Sequence, residues 1–145
     1  YTEDAAEYKA VVDRLRRKFD TAKDLVPPAE VHATDKCRTG ILTIGSCDNA
    51  VKEARAQLAE AGIATNFLRV KAFPFGKEVQ DFLDNNDRVY VVEQNRDAQL
   101  RSLLLLEMRV EQTKLVPVLH YDGLPILART VVDGINEDLA RGKAA

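Results

Sequence analysis

The sequence predicts an α/β domain in which helices cover both faces of a mainly parallel sheet, preceded by an N-terminal helix and a linker. Three observations carry that expectation. Beyond residue 38, strand-like and helix-like runs alternate four times. The strand-like runs are continuously apolar rather than alternating, which is the pattern of strands covered on both faces. The length of 145 residues with 46% apolar side chains suits one ordinary domain with a real core plus a tail.

The first helix is announced by Thr2 as a cap with Glu3 and Asp4 in the opening turn. Tyr8, Val11, Val12, Leu15, Phe19 and Ala22 then recur at the three-and-four spacing of an amphipathic helix. Its other face holds Arg14, Arg17 and Lys18, which reads as a solvated face rather than a binding site. The stretch "DLVPPAEVHATDKCR" has two prolines, several charges and no sustained period, so it reads as a connector. The chain thus divides into residues 1–38, helix and linker, and residues 39–145, the α/β domain.

Four βα units follow. "TGILTIG" precedes "DNAVKEARAQLAEAG", whose face of Ala50, Ala54, Leu58 and Ala61 is small enough to lie close to a sheet and which Gly62 ends. "IATNFLRV" precedes "KEVQDFLDN", "RVYVVE" precedes "AQLRSLLLLEM", and "KLVPVLHY" precedes "TVVDGINEDLA". Leu103 to Leu106 cannot all face one side, because each helical step rotates the side chain by about 100°. Some of them must meet a second apolar surface, either a neighbouring helix or another subunit.

The junctions between strands and helices hold the candidate site residues. "TIGSCDNAV" has the strand–turn–helix order of a phosphate site, with Gly45 at the turn and Ser46 or Asp48 at the cap. A single glycine and no following lysine favour simple capping. In "KAFPFGKEV", Phe73 and Phe75 flank Pro74, where a stiff backbone presents two rings either to an interface or to the local core. Glu93, Gln94 and Asn95 emerge at the carboxyl end of the third expected strand, the side on which open α/β sheets collect ligands. The same groups serve equally to cap the next helix and satisfy loop amides. "YDGLPI" supplies the turn pair Asp122-Gly123, with Thr130 opening the last helix.

Several functions are disfavoured. A formal net charge of −2 gives no general attraction to nucleic acid. Two cysteines, Cys37 and Cys47, cannot ligate a four-thiolate iron–sulfur cluster; they read as free thiols of a reducing cytoplasm, Cys47 packed and Cys37 exposed. His32 and His120, the only histidines, assemble neither a Ser/His/Asp set nor a metal-ligand spacing. No apolar run approaches the ~20 residues needed to span a bilayer, and the start lacks signal-peptide order. A first residue Tyr1 in place of methionine points to part of a longer polypeptide.

Taken together and in order, "IGSCDNAVKEARAQLAEAGI", "LRVKAFPF" and "VYVVEQNRDAQLRSLL" resemble the C-terminal part of the alpha subunit of 2-oxoacid:ferredoxin (acceptor) oxidoreductases. The strand followed by Glu93-Gln94-Asn95, with Gln99 four residues beyond Asn95, is the most specific element. "GSCDNAV" and "FPF" support it, and "YDGLPI" matches a looser motif with Asp122 in place of a glycine. The opening "YTEDAAEYKAVVDRLRRKF" is similar to the segment leaving that subunit's preceding domain.

The resemblance implies a transketolase C-terminal-like three-layer α/β/α sandwich within an enzyme that oxidatively decarboxylates a 2-oxoacid to an acyl-CoA. It implies thiamin diphosphate, Mg2+ and iron–sulfur clusters in the holoenzyme, with CoA as co-substrate, and none of them in this chain. The expected partners are the beta subunit of the same enzyme and, indirectly, ferredoxin, in an oligomer; neither nucleic acid nor membrane is expected. The chain by itself is expected to be inactive. Its interface or structural residues are Glu93, Gln94, Asn95, Gln99, Phe73, Pro74, Phe75, Gly45, Ser46 and Gly123. The alternatives are an independent small-molecule-binding domain, for nucleotide or CoA, with "IGSCDN" and "EQN" as two lips of one crevice, and a plain interaction module.

Overall fold

The computed structural model describes residues 2–34 and 36–143; Tyr1 and residues 144–145, the outer ends of the two expected segments, lie outside them. Helix α1 (Ala5–Ala22) is capped by Asp4, whose Oδ1 accepts the backbone N–H groups of Ala6 at 2.8 Å and Glu7 at 3.0 Å. Thr2 is therefore not the cap. Its hydroxyl accepts the Asp4 N–H at 3.1 Å and donates to the Glu7 carboxylate at 2.7 Å, bracing the capping residue from one turn outside. Helix α1 buries no residue, and an aromatic pair of Phe19 with Phe73, centroids 5.6 Å apart, links it to the rest of the chain.

The connector contributes a strand that its sequence does not announce. β1 (Glu30–His32) runs antiparallel to β3 (Asn66–Val70), and β3 continues into a parallel set with β2 (Thr39–Ile44), β4 (Arg88–Glu93) and β5 (Leu115–Leu119). The order across the sheet is β1-β3-β2-β4-β5. After β2 the chain adds β3 on one side; β4 and β5 then build outward on the other. The order thus reverses between β2 and β4.

Alternation along the strands divides the core in two. Ile41, Phe67, Tyr90, Val92 and Val118 face a layer formed by α2 (Asp48–Glu60) and α5 (Ala128–Lys143). Leu42, Leu68, Val89, Val91 and Leu115 face α3 (Lys77–Asp84) and α4 (Gln99–Glu107). The three-layer sandwich is thus present as expected. Ala50, Ala54 and Leu58 are buried in the α2 interface, Ala61 at its C-cap is exposed, and Gly62 (φ 80°) ends the helix. In the leucine run, Leu104 is fully buried, Leu103 and Leu105 pack at the margin of the core, and Leu106 is 78% exposed. Helix α5 starts two residues before Thr130, with Ala128 already in the core.

Gly40 fixes how closely α3 approaches the sheet. A Cβ built there would lie 2.8 Å from two atoms of the Phe82 ring and 3.1 Å from the Asn86 side chain. Gly40→Ala is expected to destabilise the domain by about 1–3 kcal/mol through overpacking, read as a lower denaturation midpoint at unchanged m-value.

Cys37 is a correction: expected exposed, it is 8% exposed, and its thiol donates to the Ala64 carbonyl at 2.9 Å. The connector folds back over the amino end of the sheet, held by Asn66. The Asn66 amide accepts the Thr34 N–H at 2.8 Å and donates to the Cys37 carbonyl and the Asn86 Oδ1, each at 2.9 Å. Asn86 in turn donates to the Phe82 carbonyl at 2.8 Å. A second polar tie crosses one face: Arg88 donates two hydrogen bonds of 2.6 Å to Asp138, and the Tyr90 hydroxyl donates to the same carboxylate at 2.9 Å.

The β5 margin of the sheet is closed by its own residues. His120 N–H points to the Glu93 carbonyl of β4, so by alternation the N–H of an ordinary residue 117 would face outward. That position is Pro117, which has none. The Leu115 carbonyl accepts from the Arg101 guanidinium at 2.8 Å.

Candidate functional site

The carboxyl end of the sheet, where strand order reverses between β2 and β4, is the place at which an open α/β sheet presents a crevice. The two loops that leave these strands begin with Gly45-Ser46 and with Gln94-Asn95. Here they are joined. Gln94 Nε2 donates to the Ser46 hydroxyl at 2.6 Å, and Gln94 Oε1 accepts the Ile126 N–H at 3.1 Å. One side chain thereby ties the β2–α2, β4–α4 and β5–α5 loops together.

Glu93 lies beneath that tie, 1% exposed, at the last position of β4. Its carboxylate accepts the N–H groups of Leu100 at 2.7 Å and Arg101 at 3.0 Å, in the first turn of α4, and the Asn95 Nδ2 at 2.8 Å. The physical reason is local. Helix α4 has no capping side chain, because Ala98 stands at its N-cap in the left-handed region with φ 51°. That conformation costs an alanine about 1 kcal/mol or more, and a buried carboxylate supplies the acceptors that the helix start and its positive dipole end require. Asn95 completes the turn, its Oδ1 accepting the N–H groups of Asp97 at 3.1 Å and Gln99 at 3.2 Å.

Of the other expected site residues, Gly45 takes φ 65° at the start of a short 3-10 turn. Neither Ser46 nor Asp48 caps α2: Cys47 stands at its N-cap without a side-chain bond, Ser46 is held by Gln94, and Asp48 pairs with Lys52 at 2.9 Å and Arg69 at 3.2 Å. The α2 turn is thus built by backbone and by a cross-loop bond, a partner that lies 48 residues away in sequence. Phe75 is buried, whereas Phe73 is 38% exposed and meets it edge-on at 5.1 Å across Pro74. Gly123 (φ 90°) turns the β5–α5 loop, and Asp122 Oδ1 accepts the Leu124 N–H at 2.9 Å. The side chains of Gln94 and Gln99 lie at the surface.

The arrangement holds loops in place and leaves little for chemistry. Both Glu93 oxygens are engaged with groups of the chain. Burial pushes the Cys47 thiol up, so it stays protonated near neutrality and is a poor nucleophile. Among the described residues no group of three or more His, Cys, Asp or Glu side chains could hold a metal ion, and no helix is long and apolar enough to cross a membrane.

What the sequence reading missed is apolar. Ile44, Tyr121, Leu124 and Leu127 stand around the same end of the sheet, between 42% and 68% exposed. A small hollow of about 230 Å3 lies among Ile44, Glu93, Asn95, Gln99, Leu100 and Leu103. The signal was available in "YDGLPIL", where a turn carries more large apolar side chains than a turn needs.

Known proteins were compared with the chain. No family model matches it. It is 24% identical, over 98% of its own length, to the curated 2-oxoacid:ferredoxin oxidoreductase 2, subunit alpha, of Aeropyrum pernix, and covers 23% of that protein. Among solved structures, 94% of the chain superposes on 24% of a chain of 2-oxoglutarate:ferredoxin oxidoreductase from Magnetococcus marinus, with a TM-score of 0.82 and 23% identity. The alpha chain of a probable 2-oxoacid ferredoxin oxidoreductase from Thermoplasma acidophilum matches 78% of this chain and 97% of its own, with a TM-score of 0.51 and 26% identity. A split-gene transketolase matches with a TM-score of 0.59 and 20% identity, over 79% of this chain and 43% of that one. The chain spans about a quarter of the length of the first two. The resemblance to the alpha subunit of 2-oxoacid:ferredoxin oxidoreductases and the transketolase C-terminal-like fold are both borne out.

Proposed function

We propose that the chain is a non-catalytic assembly domain of a cytoplasmic, thiamin diphosphate-dependent 2-oxoacid:ferredoxin oxidoreductase, which oxidatively decarboxylates a 2-oxoacid to an acyl-CoA. The likeness to an oxidoreductase alpha subunit supports the class. The observation that carries the assembly role is the carboxyl end of the sheet. Glu93, Gln94 and Asn95 are held by partners within the chain, which makes a stiff frame, and apolar side chains stand exposed around it.

In this reading Glu93, Gln94 and Asn95 hold the frame, and the surface amide of Gln99 meets backbone groups of a neighbouring domain or of the beta subunit. Ile44, Leu124 and Leu127 supply apolar contact. Phe73 and Pro74 form a second contact anchored by Phe75, while Gly45, Ser46 and Gly123 shape the loops. The residues described do not fit a thiolate-held iron–sulfur cluster or a carboxylate metal site. Cys37 and Cys47 are both buried and lie on either side of β2 in sequence, and no carboxylate group is arranged for Mg2+. In this reading thiamin diphosphate, Mg2+, iron–sulfur clusters and CoA are assigned to other parts of the enzyme, and ferredoxin is met there.

The test is Leu124→Asp with Leu127→Asp in the complete enzyme, scoring recovery of the beta subunit alongside turnover. Loss of the beta subunit with the chain still folded is the expected result. Full assembly, whether turnover is kept or lost, would reject the assembly role. Calorimetric titration of the chain with nucleotide, CoA and thiamin diphosphate is expected to show no binding; tight binding would move the assignment to a ligand-binding domain.

A further inference from the structure

The loop from His120 to Leu127 joins β5 to α5 and fixes more of its backbone than a connection requires. Leu124 is the residue it fixes most. Its N–H donates to Asp122 Oδ1 at 2.9 Å, and its carbonyl accepts from His120 Nε2 at 2.9 Å. Asp122 Oδ1 lies 2.9 Å from the same ring nitrogen. A carbonyl and a carboxylate are both acceptors, so the proton of the ring sits on Nε2. Gly123 precedes Leu124 at φ 90°, and Pro125 follows it with its own φ locked. Beyond the proline, Ile126 is buried and its N–H is held by Gln94 at 3.1 Å. The His120 side chain is nearly enclosed, at 12% exposed.

All of this order aims a side chain that neither core uses. Leu124 is 68% exposed, and Tyr121 and Leu127 stand out from the same loop. Fixing such a residue beforehand removes the ordering cost from a later contact, and so raises affinity without adding any contact. The gain matters most between separate polypeptides. Two surfaces of one polypeptide already meet at an effective concentration on the order of millimolar, where loose contacts suffice; separate subunits must hold each other at their own lower concentration.

We propose that His120 is a positioning residue for subunit assembly: it acts through Leu124, holding that side chain ready for an apolar pocket on the beta subunit. The inference rests on the assembly reading and adds to it one anchor and the residue that aims it.

The experiment uses the complete enzyme and reads dissociation of the beta subunit on dilution. The variants are His120→Ala, His120→Gln, Leu124→Ala, and His120→Ala combined with Leu124→Ala. His120→Ala is expected to weaken retention by at least about tenfold. Glutamine carries an amide N–H to the place of the ring N–H and should recover most of that loss. The double variant shows how His120 acts. It should be no weaker than Leu124→Ala alone, because nothing is then left to position. A merely structural histidine would instead add its effect in full, and that result would overturn the proposal. So would retention by His120→Ala within about twofold of wild type, or a glutamine variant as weak as the alanine one. Unchanged retention with raised hydrogen exchange in another domain of the same polypeptide would seat Leu124 there, and overturn it too. The paired aspartate variant separates the two readings. Assembly that survives Leu124→Asp with Leu127→Asp overturns both, whereas assembly lost there but kept in His120→Ala overturns only the role of His120.

Discussion

Glu93→Ala is expected to lower the thermal midpoint of the chain by about 10 °C, a loss of about 3–5 kcal/mol. The substitution removes the acceptor for two α4 amides and for the Asn95 side chain at a position that is otherwise buried. Each stranded donor costs its own desolvation, and the left-handed Ala98 offers no replacement cap. Glu93→Gln keeps one acceptor and turns a donor toward donors, so it should fall between wild type and Ala. Melts followed by far-UV circular dichroism decide the matter. A midpoint for the Ala variant within about 2 °C of wild type would mean that the helix start is satisfied by solvent.

Asp138→Ala should be comparably damaging, at about 3–5 kcal/mol, because it leaves the buried Tyr90 hydroxyl and the Arg88 guanidinium without their shared acceptor. The pair also gives the stability curve two limbs. The hydrogen bond from Arg88 holds the Asp138 carboxyl below the ordinary value of 3.8. Its contribution is therefore complete above pH 3.8 and lost as the pH falls through the lower folded value. Tyr90 is pushed up from 10.0 to about 12, first by burial and then by its bond to Asp138. Being raised, it stabilises fully below pH 10 and loses about 2–3 kcal/mol as the pH climbs from 10 to about 12. Denaturant midpoints across both ranges should show these limbs. In Asp138→Ala the acid limb should shrink, and the alkaline limb, still beginning at pH 10, should end at a lower pH with a smaller loss; unchanged limbs would remove Asp138 from the account.

The four βα units were legible because each strand is an unbroken apolar run and each helix carries its own periodicity. β1 was not: three residues between two prolines and a charged stretch have no period to read, and they are a strand only because β3 offers an open margin. Strand order was equally silent, since it depends on pairings between residues far apart in sequence. The same holds for Cys37, whose burial follows from Asn66 reaching back 29 residues to its carbonyl. Glu93, Gln94 and Asn95 stood out as a polar break after an apolar strand. Their partners Ser46, Leu100 and Ile126 are set by the meeting of three loops, which no local pattern encodes.

Both margins of the sheet matter for how such a unit behaves inside larger polypeptides. On one side Pro117 and Arg101 remove or occupy the groups that another strand would seek, and on the other β1 is only three residues long. Lateral growth by strand addition is thus stopped in both directions. Neighbours must join through helices or through the loops at the strand ends, so the same unit can be carried at high concentration and in varied company without polymerising edge to edge.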